Sequence, residues 1–488
     1  MSNDIMDLLE LYDEDSEILE STTVGNIKSV TISKIRRVMY CPICGCRLHS
    51  KGTFTRHPNN QIFQGFYVLK VTLAGRRWEC SNPDCEYKET DQFKFIQRYK
   101  HNTTFNDISI IREMKDINLS CRQIAQRYNV SDTYVHTVFS RYVSLPRLPL
   151  TSIISIDEVY LNISPRFKYA LVIMDWVTGD IIDILPSRRK EITSNYFRSI
   201  PKKERDQVLF LICDMYDPYV NYTKNYFRNA RPITDSFHVV KWILRLIRIY
   251  INQVKKRYQE RDRKALEKKN HDNNSSIEKT KDSREVYILK NADWVLLKNE
   301  KNFTDYNGRK WNHFLNQYMD RYDWEREFMA LDPNFNKIKL YKDLYETFNG
   351  QYINEREGAS ARMDELIAFY KDCDLQIFRE FAVLLSKYHD SIVNSFKYVT
   401  AAESSHYKEK LRRLSNGPME SFNNIPSGYR AQSHGIDDFE FARNRILWAY
   451  RPDASILGVP KSAAEVHNYT GKKRGQYKKT NTKKINKH

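Results

Sequence analysis

Residues 207–220 read QVLFLICDMYDPYV. The apolar run through Cys213 is short and has no helical period, which predicts a buried strand. It ends abruptly in Asp214, with Asp217 three residues later. Ionised carboxylates are costly beside a core unless something pairs with them, so the strand end needs a partner. The same pattern occurs upstream, where Asp157 emerges from the apolar run of SIISIDEVYL (152–161). Between the two lie KYALVIMDWVTGDIIDILP, with a hairpin-like turn at Thr178-Gly179, and a helical ITSNYFRSI. After them NYTKNYFRN leads to a further strand, RPITDSF. Strands first in a meander and then in β–α–β alternation predict a mixed α/β sheet. If the strands bearing Asp157 and Asp214 are neighbours, the two carboxylates face each other and need a proton or a cation. Magnesium suits oxygen-only ligands and leaves room for phosphate oxygens.

A third acid is offered by RLSNGPMESFNN (413–424). Gly417-Pro418 reads as a helix start, placing Glu420 in the first turn, where the helix dipole favours a negative charge. Singly, each acid is an ordinary cap or surface residue; the three contexts together point to a metal-dependent site. Between Asp214 and Glu420 the helix HVVKWILRLIRIYINQVKKR is expected to pack through Val239, Trp242, Ile243, Leu246 and Tyr250. A charged stretch (261–285) and a helical region to about residue 412 follow it.

Lys and Arg number 79 against 61 Asp and Glu, a net charge of +18 over 488 residues with pI near 9.3. That balance favours polyanionic partners, because each neutralised phosphate releases a counterion. No apolar run of about 18 residues is present, so no spanning helix is expected. The acidic N-terminus has no basic n-region and no cleavable apolar run, so no signal peptide is read. An intracellular setting makes the eight cysteines ligands or core residues rather than disulfides. Cys41-Pro-Ile-Cys44 and Cys80-Ser-Asn-Pro-Asp-Cys85 form two short loops whose four thiolates suit a closed structural zinc site. Cys46 is an alternative ligand and His49 and His57 are weaker ones, while Cys121, Cys213 and Cys373 read as core residues. Next, SCRQIAQRYNVSDTYVHTVFSRYV reads as a helix-turn-helix with Ser131 as N-cap. Its second helix would present Ser131, Asp132, Thr133, Tyr134, His136 and Thr137 to base edges, with Arg122 and Arg127 toward phosphates.

From about Cys41 to Trp448, these motifs together with DSFHVVKW and HGIDDFEFARNRIL resemble the ISL-three family of bacterial insertion-sequence transposases. The resemblance implies a ribonuclease-H-like core with an Asp, Asp, Glu triad, mapped here to Asp157, Asp214 and Glu420, and a helical insertion before the Glu. It also implies two Mg2+ (or Mn2+) ions at the triad and strand cleavage followed by strand transfer without a covalent protein intermediate. Asp235 and His238, in the stretch resembling the family's Asp-x-Phe-His, take supporting positions around the triad. Implied partners are double-stranded DNA, as element ends and as target, and further copies of the chain in at least a dimer. The implied location is the cytoplasm of a bacterium, in association with the nucleoid and without a membrane. The chain departs from the family after Glu420, where NNIPSGYRAQSHGI is interrupted by Pro426 and carries only Arg430 in place of a longer basic stretch, so weaker end-DNA contacts are expected there.

The expected organisation is multidomain α/β. An acidic arm at 1–26, with Ile5, Leu8, Leu9 and Tyr12 near helical spacing, precedes a zinc ribbon at 27–100 and the helix-turn-helix at 101–148. The first part of the core spans 149–257, the charged linker and helical insertion 258–412, and the last part of the core 413–452. A basic tail, 453–488, closes the chain. Two other functions fit the same sequence: a catalytically silent DNA-binding regulator, and a nuclease that cuts without joining.

Overall fold

A computed structural model describes residues 11, 13–58, 61–63, 67–96, 100–273, 282–299, 308–351, 356–433, 436 and 438–468. The chain divides into two compact units, one of residues 1–147, 160–168 and 424–488 and the other of 148–159 and 169–423. Among the described residues, no helix is long and apolar enough to cross a membrane. The helical spacing expected at Ile5, Leu8, Leu9 and Tyr12, and the basic tail from residue 469, lie outside the described residues.

In the first unit, the strands are β1 (Ser16–Val24), β2 (Ile27–Lys34), β3 (Leu48–Arg56), β4 (Gln61–Phe63), β5 (Tyr67–Cys80) and β6 (Lys88–Thr90). They form one sheet centred on β5, which pairs parallel with β2 and antiparallel with β3, β4 and β6. Alternate residues Val30 and Ile32 of β2 and Leu69, Val71 and Leu73 of β5 bury one face with Phe93, Phe95 and Ile96, the period of two that strands impose. Residues 16–24, expected in the acidic arm ahead of the ribbon, belong to this sheet: β1 pairs antiparallel with β2 along its length.

Three helices follow, Thr104–Glu113, Cys121–Tyr128 and Asp132–Tyr142. Ser120 and Gln123 cap the second reciprocally, and Asn129 ends it in the left-handed conformation (φ 51°), an arrangement that asparagine tolerates. The Ser131 hydroxyl accepts the Tyr134 N–H and starts the third. Ile110, Ile111, Ile124, Ala125, Val135, Val138 and Phe139 are buried among them. Helix Phe439–Tyr450 belongs to this unit as well: the Trp448 indole donates to Ile111 O (3.0 Å), and buried Arg445 donates to Asp116 O (2.6 Å) and Leu119 O (3.0 Å). The segment 413–452, expected as one block of the core, is therefore divided at residue 423.

The second unit is built on a mixed sheet of β7 (Ile153–Tyr160), β8 (Tyr169–Asp175), β9 (Ile181–Leu185), β10 (Phe210–Cys213) and β11 (Arg231–Thr234), in the order β11-β10-β7-β8-β9. The β8–β9 pair is an antiparallel hairpin, whereas β10 runs parallel to both β7 and β11. Gly179 turns that hairpin at φ +81°, and a Cβ there would meet the Tyr407 ring at 2.8 Å. Alternation sorts the parallel strands' side chains onto two faces. Ile154, Ile156, Leu211 and Cys213 join a core with Phe197 and Phe227, and Ile153, Ile212 and Ile233 join another with Trp176 and Leu414. The insertion opens with the long helix Ser236–Asn273 and has its own apolar core, from Val239, Ile243 and Ile247 to Phe378, Phe381 and Leu385. Its described residues are predominantly helical but include two small antiparallel hairpins, Lys310–Asn312 with Gln317–Met319 and Tyr398–Ala401 with Lys410–Arg413. Trp242, expected in the helix core, is instead 37% exposed.

Candidate active site

Strand register brings the acids together. Ile212 is level with Ser155 and Cys213 with Thr234. Continuing the ladder by two residues sets Asp214 level with Asp157, and by one residue sets it level with Asp235. Three adjacent parallel strands, spaced about 4.8 Å apart, thus bring an aspartate each to one level, Asp157 inside β7 and Asp214 and Asp235 just past the ends of β10 and β11. The period of two puts all three on the face of Ile153, Ile212 and Ile233. The segment leading to Glu420 is fixed on the same face: Leu414 is buried in that core, the Trp176 indole donates to Ser415 O (2.8 Å), and Asn416 N–H donates to Asp235 (3.1 Å). The Ser155 hydroxyl donates to the Asn416 side-chain oxygen. Helix Gly417–Gln432 starts there, with Glu420 in its first turn.

The partner waiting at the end of β10 is an imidazole. His238 Nε2 lies 3.0 Å from Asp214 Oδ1 and 3.9 Å from Glu420 Oε1. Ligand atoms of Asp235, His238 and Glu420 fall within 4.8 Å of one another. Burial opposes the charge on His238, but the bond to Asp214 and the charges of Asp214, Asp235 and Asp157 outweigh it and raise its pKa. Asp217, the other acid of the opening stretch, is held by Lys387 (2.7 Å) and the Tyr388 hydroxyl (2.8 Å).

Asp157 and its neighbour Glu158 part company. Glu158 accepts from Arg188 and from the Tyr219 hydroxyl. Asp157 accepts the Glu158 N–H (2.7 Å) and the Asn423 amide (2.8 Å), and among the described residues no Lys or Arg is paired with it. Burial, then the charge of Asp214, pushes its carboxyl up to about 7. Burial likewise raises Asp235, 2% exposed, and Glu420, with Asp235 adding to the latter. Asn423 stands three residues after Glu420, on the same helix face; sequence reasoning missed it, although the spacing was available. Asp157 and Asp214 line a cavity of about 1200 Å³ together with His238, Tyr216, Phe237, Lys241 and Trp242.

Four carboxylates on one face, three of them held above their ordinary range, form an oxygen-rich donor set short of positive charge, which fits hard divalent cations. A different donor set gathers in the first unit, where Cys41, Cys44, Cys80 and Cys85 place their sulfurs within 4.8 Å of one another. The Cys41–Cys85 and Cys44–Cys80 separations are 3.7 and 3.3 Å, close to the roughly 3.8 Å edge of a tetrahedron with Zn–S of about 2.3 Å. The backbone N–H groups of Ile43 and Asn82 each donate to a ligand sulfur at 3.4 Å. Cys46 and His49 stay outside the cluster, and His57 sits by the Thr72 hydroxyl. Cys213 and Cys373 are buried, but Cys121, at a helix start, is only half-buried.

Two residues expected to face base edges are committed elsewhere. The Tyr134 hydroxyl donates to Asp107 (2.6 Å), and the His136 ring stacks on Phe441 at 3.9 Å. Arg127 pairs with Glu113 (2.9 Å) rather than standing open to phosphate. Arg122, Ser131 and Thr133 are exposed, and the Thr137 hydroxyl is turned back to Thr133 O (2.8 Å).

Residues 154–446 match the family of DDE-type ISL3 elements described as "Transposase". The chain is also similar to the transposase for insertion sequence element IS1001 of Bordetella parapertussis, 23% identical over 297 residues. The matched region is 57% of this chain and spans 63% of that relative's length. With more than half of its residues in that family match, the chain belongs to the ISL3 family of transposases.

Proposed function

We propose that the chain binds the ends of its insertion element and carries out metal-dependent DNA cleavage and strand transfer. The observation that carries this reading is the row of Asp157, Asp214 and Asp235 level with one another on adjacent parallel strands, with Glu420 meeting them through His238. The strand order β11-β10-β7-β8-β9, with an antiparallel β8–β9 hairpin at one edge and β7, β10 and β11 running parallel, supports a ribonuclease-H-like core. Asp157, Asp214 and Glu420 would hold two Mg2+ or Mn2+ ions, which when bound supply Lewis-acid activation of the attacking oxygen and stabilisation of the leaving one.

The chain's own groups do the rest. Asn423 orients Asp157 by donating to one oxygen, leaving that carboxylate's direction fixed. Arg188 and Tyr219 hold Glu158 away from this task. Asp235 anchors the loop before Glu420 through the Asn416 N–H, and His238 balances charge between Asp214 and Glu420. The four cysteines would hold Zn2+ as a structural ion in a ribbon, and the helix pair 121–142 would act as a helix-turn-helix on duplex DNA through Arg122, Ser131 and Thr133. Joining two ends in one event requires at least two copies on DNA. The test is incubation of the full chain with DNA carrying its element's ends and Mg2+, scoring nicked and joined products. Cutting and joining by the parent chain, lost in Asp157→Asn with end binding retained, is the expected result. Cleavage that persists in that variant would overturn the assignment. Binding without cutting would leave a regulator, and cutting without joining a nuclease.

A further inference from the structure

We infer that the cavity-facing stripe of the long helix Ser236–Asn273 binds an unpaired nucleic-acid strand, its phosphates on Lys241, Arg245 and Arg248 and its bases on Phe237 and Trp242. The inference deepens the proposed function and rests on it for the identity of the polymer. Positions 237, 241, 245 and 248 recur on one face of a helix, so the cations step along the axis by about 6 and about 4.5 Å. All five side chains line the cavity that holds Asp157 and Asp214. The stripe starts beside Asp235 and His238, so it leads directly away from the acids.

Charge sets this face apart from the rest of the lining. Arg188 and Lys387 are spent on Glu158 and Asp217. Among the described residues neither Lys241 nor Arg245 is ion-paired, and the Arg248 guanidinium has only Asp293 at 4.0 Å. Each of the first two cations lies against an aromatic ring instead, Lys241 at 5.9 Å from the Phe237 centroid and Arg245 at 5.5 Å from Trp242. Phe237 is 53% exposed and Trp242 37%. Cations interleaved with partly exposed aromatic rings suit a chain of phosphates alternating with flat bases. In a duplex those base faces are covered by their neighbours in the stack and reach a side chain only once unpaired. The occupant is therefore a strand separated from its complement next to the acids, rather than intact duplex.

The full chain carrying Asp157→Asn, which removes cutting from the readout, is titrated with a labelled oligothymidylate and with a duplex of the same length, by fluorescence anisotropy. Adding Trp242→Ala is expected to weaken oligothymidylate binding by about 5- to 150-fold, the loss of one stacked base, and to change duplex binding by less than about twofold. Trp242→Phe, which keeps a flat ring, is expected to restore most of the affinity and so separates stacking from misfolding. Arg245→Ala with Arg248→Ala is expected to lower the log–log salt slope for the single strand by about 1.4. Equal losses on both ligands, no loss on either, or no rescue by Trp242→Phe would overturn the inference. None of these readouts needs catalysis, so an inert parent chain would count against the proposed function while leaving this strand-binding face standing.

Discussion

The four cysteines and the four acids solve opposite problems. The cysteines come from two short loops 36 residues apart, and their sulfurs already sit near the edges of a tetrahedron. The acids come from three adjacent strands and from a helix 206 residues beyond Asp214 (420 − 214). Burial first, and then their mutual repulsion, raises the carboxyl pKa values of Asp157 and Glu420, and an imidazole lies between Asp214 and Glu420. Neutral thiols approach one another at little cost, and on deprotonation become a closed ligand shell. Carboxylates that remain charged must be forced together by a fold that is stable for other reasons, and they stay open to water and phosphate. One arrangement suits an ion that completes a fold; the other suits ions that work on a substrate.

Disrupting the first site is expected to have the largest effect. Zinc binding in small domains contributes about 10–16 kcal/mol to folding, so Cys80→Ser should abolish stoichiometric zinc and leave residues 41–90 exchanging amide protons as an unfolded segment, read by hydrogen exchange. Normal protection in that segment without zinc would break the contrast. Disrupting the second site should spare the fold and remove the chemistry. Asp157→Asn is expected to lower Mg2+-dependent end cleavage on the order of a thousandfold, the worth of several kcal/mol of charge stabilisation, with zinc content unchanged.

The same substitution should stabilise the protein without divalent ions. The folded chain holds Asp157 at about 7, whereas an unfolded aspartate titrates near about 3.9. Between those values the folded state keeps a proton that the unfolded chain has lost, so the contribution is full below about pH 4 and fades as pH rises through 7. In EDTA-free, divalent-free buffer, thermal unfolding should show stability falling across that window. Asp157→Asn should flatten the fall and gain on the order of 2–4 kcal/mol at pH 8. Chelator is avoided here because it would also remove the zinc proposed for the other site. Asn423→Ala is the mildest probe. It removes one hydrogen bond to a charged group, worth about 1.5–3 kcal/mol, and should slow cleavage by roughly 10- to 150-fold while leaving metal-free stability nearly unchanged.

Asp157 and Asp214 were legible because an acid closing an apolar run is locally anomalous, whereas Asp235, after Arg-Pro-Ile-Thr, carries no such mark and entered only through the resemblance to the family. The cysteine loops were legible for a similar reason, since ligand spacing is a local property. What escaped depended on remote partners. Asn423 reads as a polar helix residue until β7 is placed beside it. Tyr134 and His136 read as exposed on a short helix, but Asp107 and Phe441 claim them. Trp242 fits a helical apolar stripe, and only the three-dimensional packing of Val239, Ile243 and Ile247 shows that the core passes it by. Ser16–Val24 is polar and acidic, and its strand conformation comes from pairing with β2 rather than from an apolar pattern.

Mn2+ binding, followed by electron paramagnetic resonance on the zinc-loaded full chain at pH 8, tests the gathered acids most directly. Saturable binding is expected, lost or strongly weakened in each of Asp157→Asn, Asp214→Asn and Glu420→Gln, with zinc retained throughout. Unchanged Mn2+ binding in all three variants would contradict this expectation.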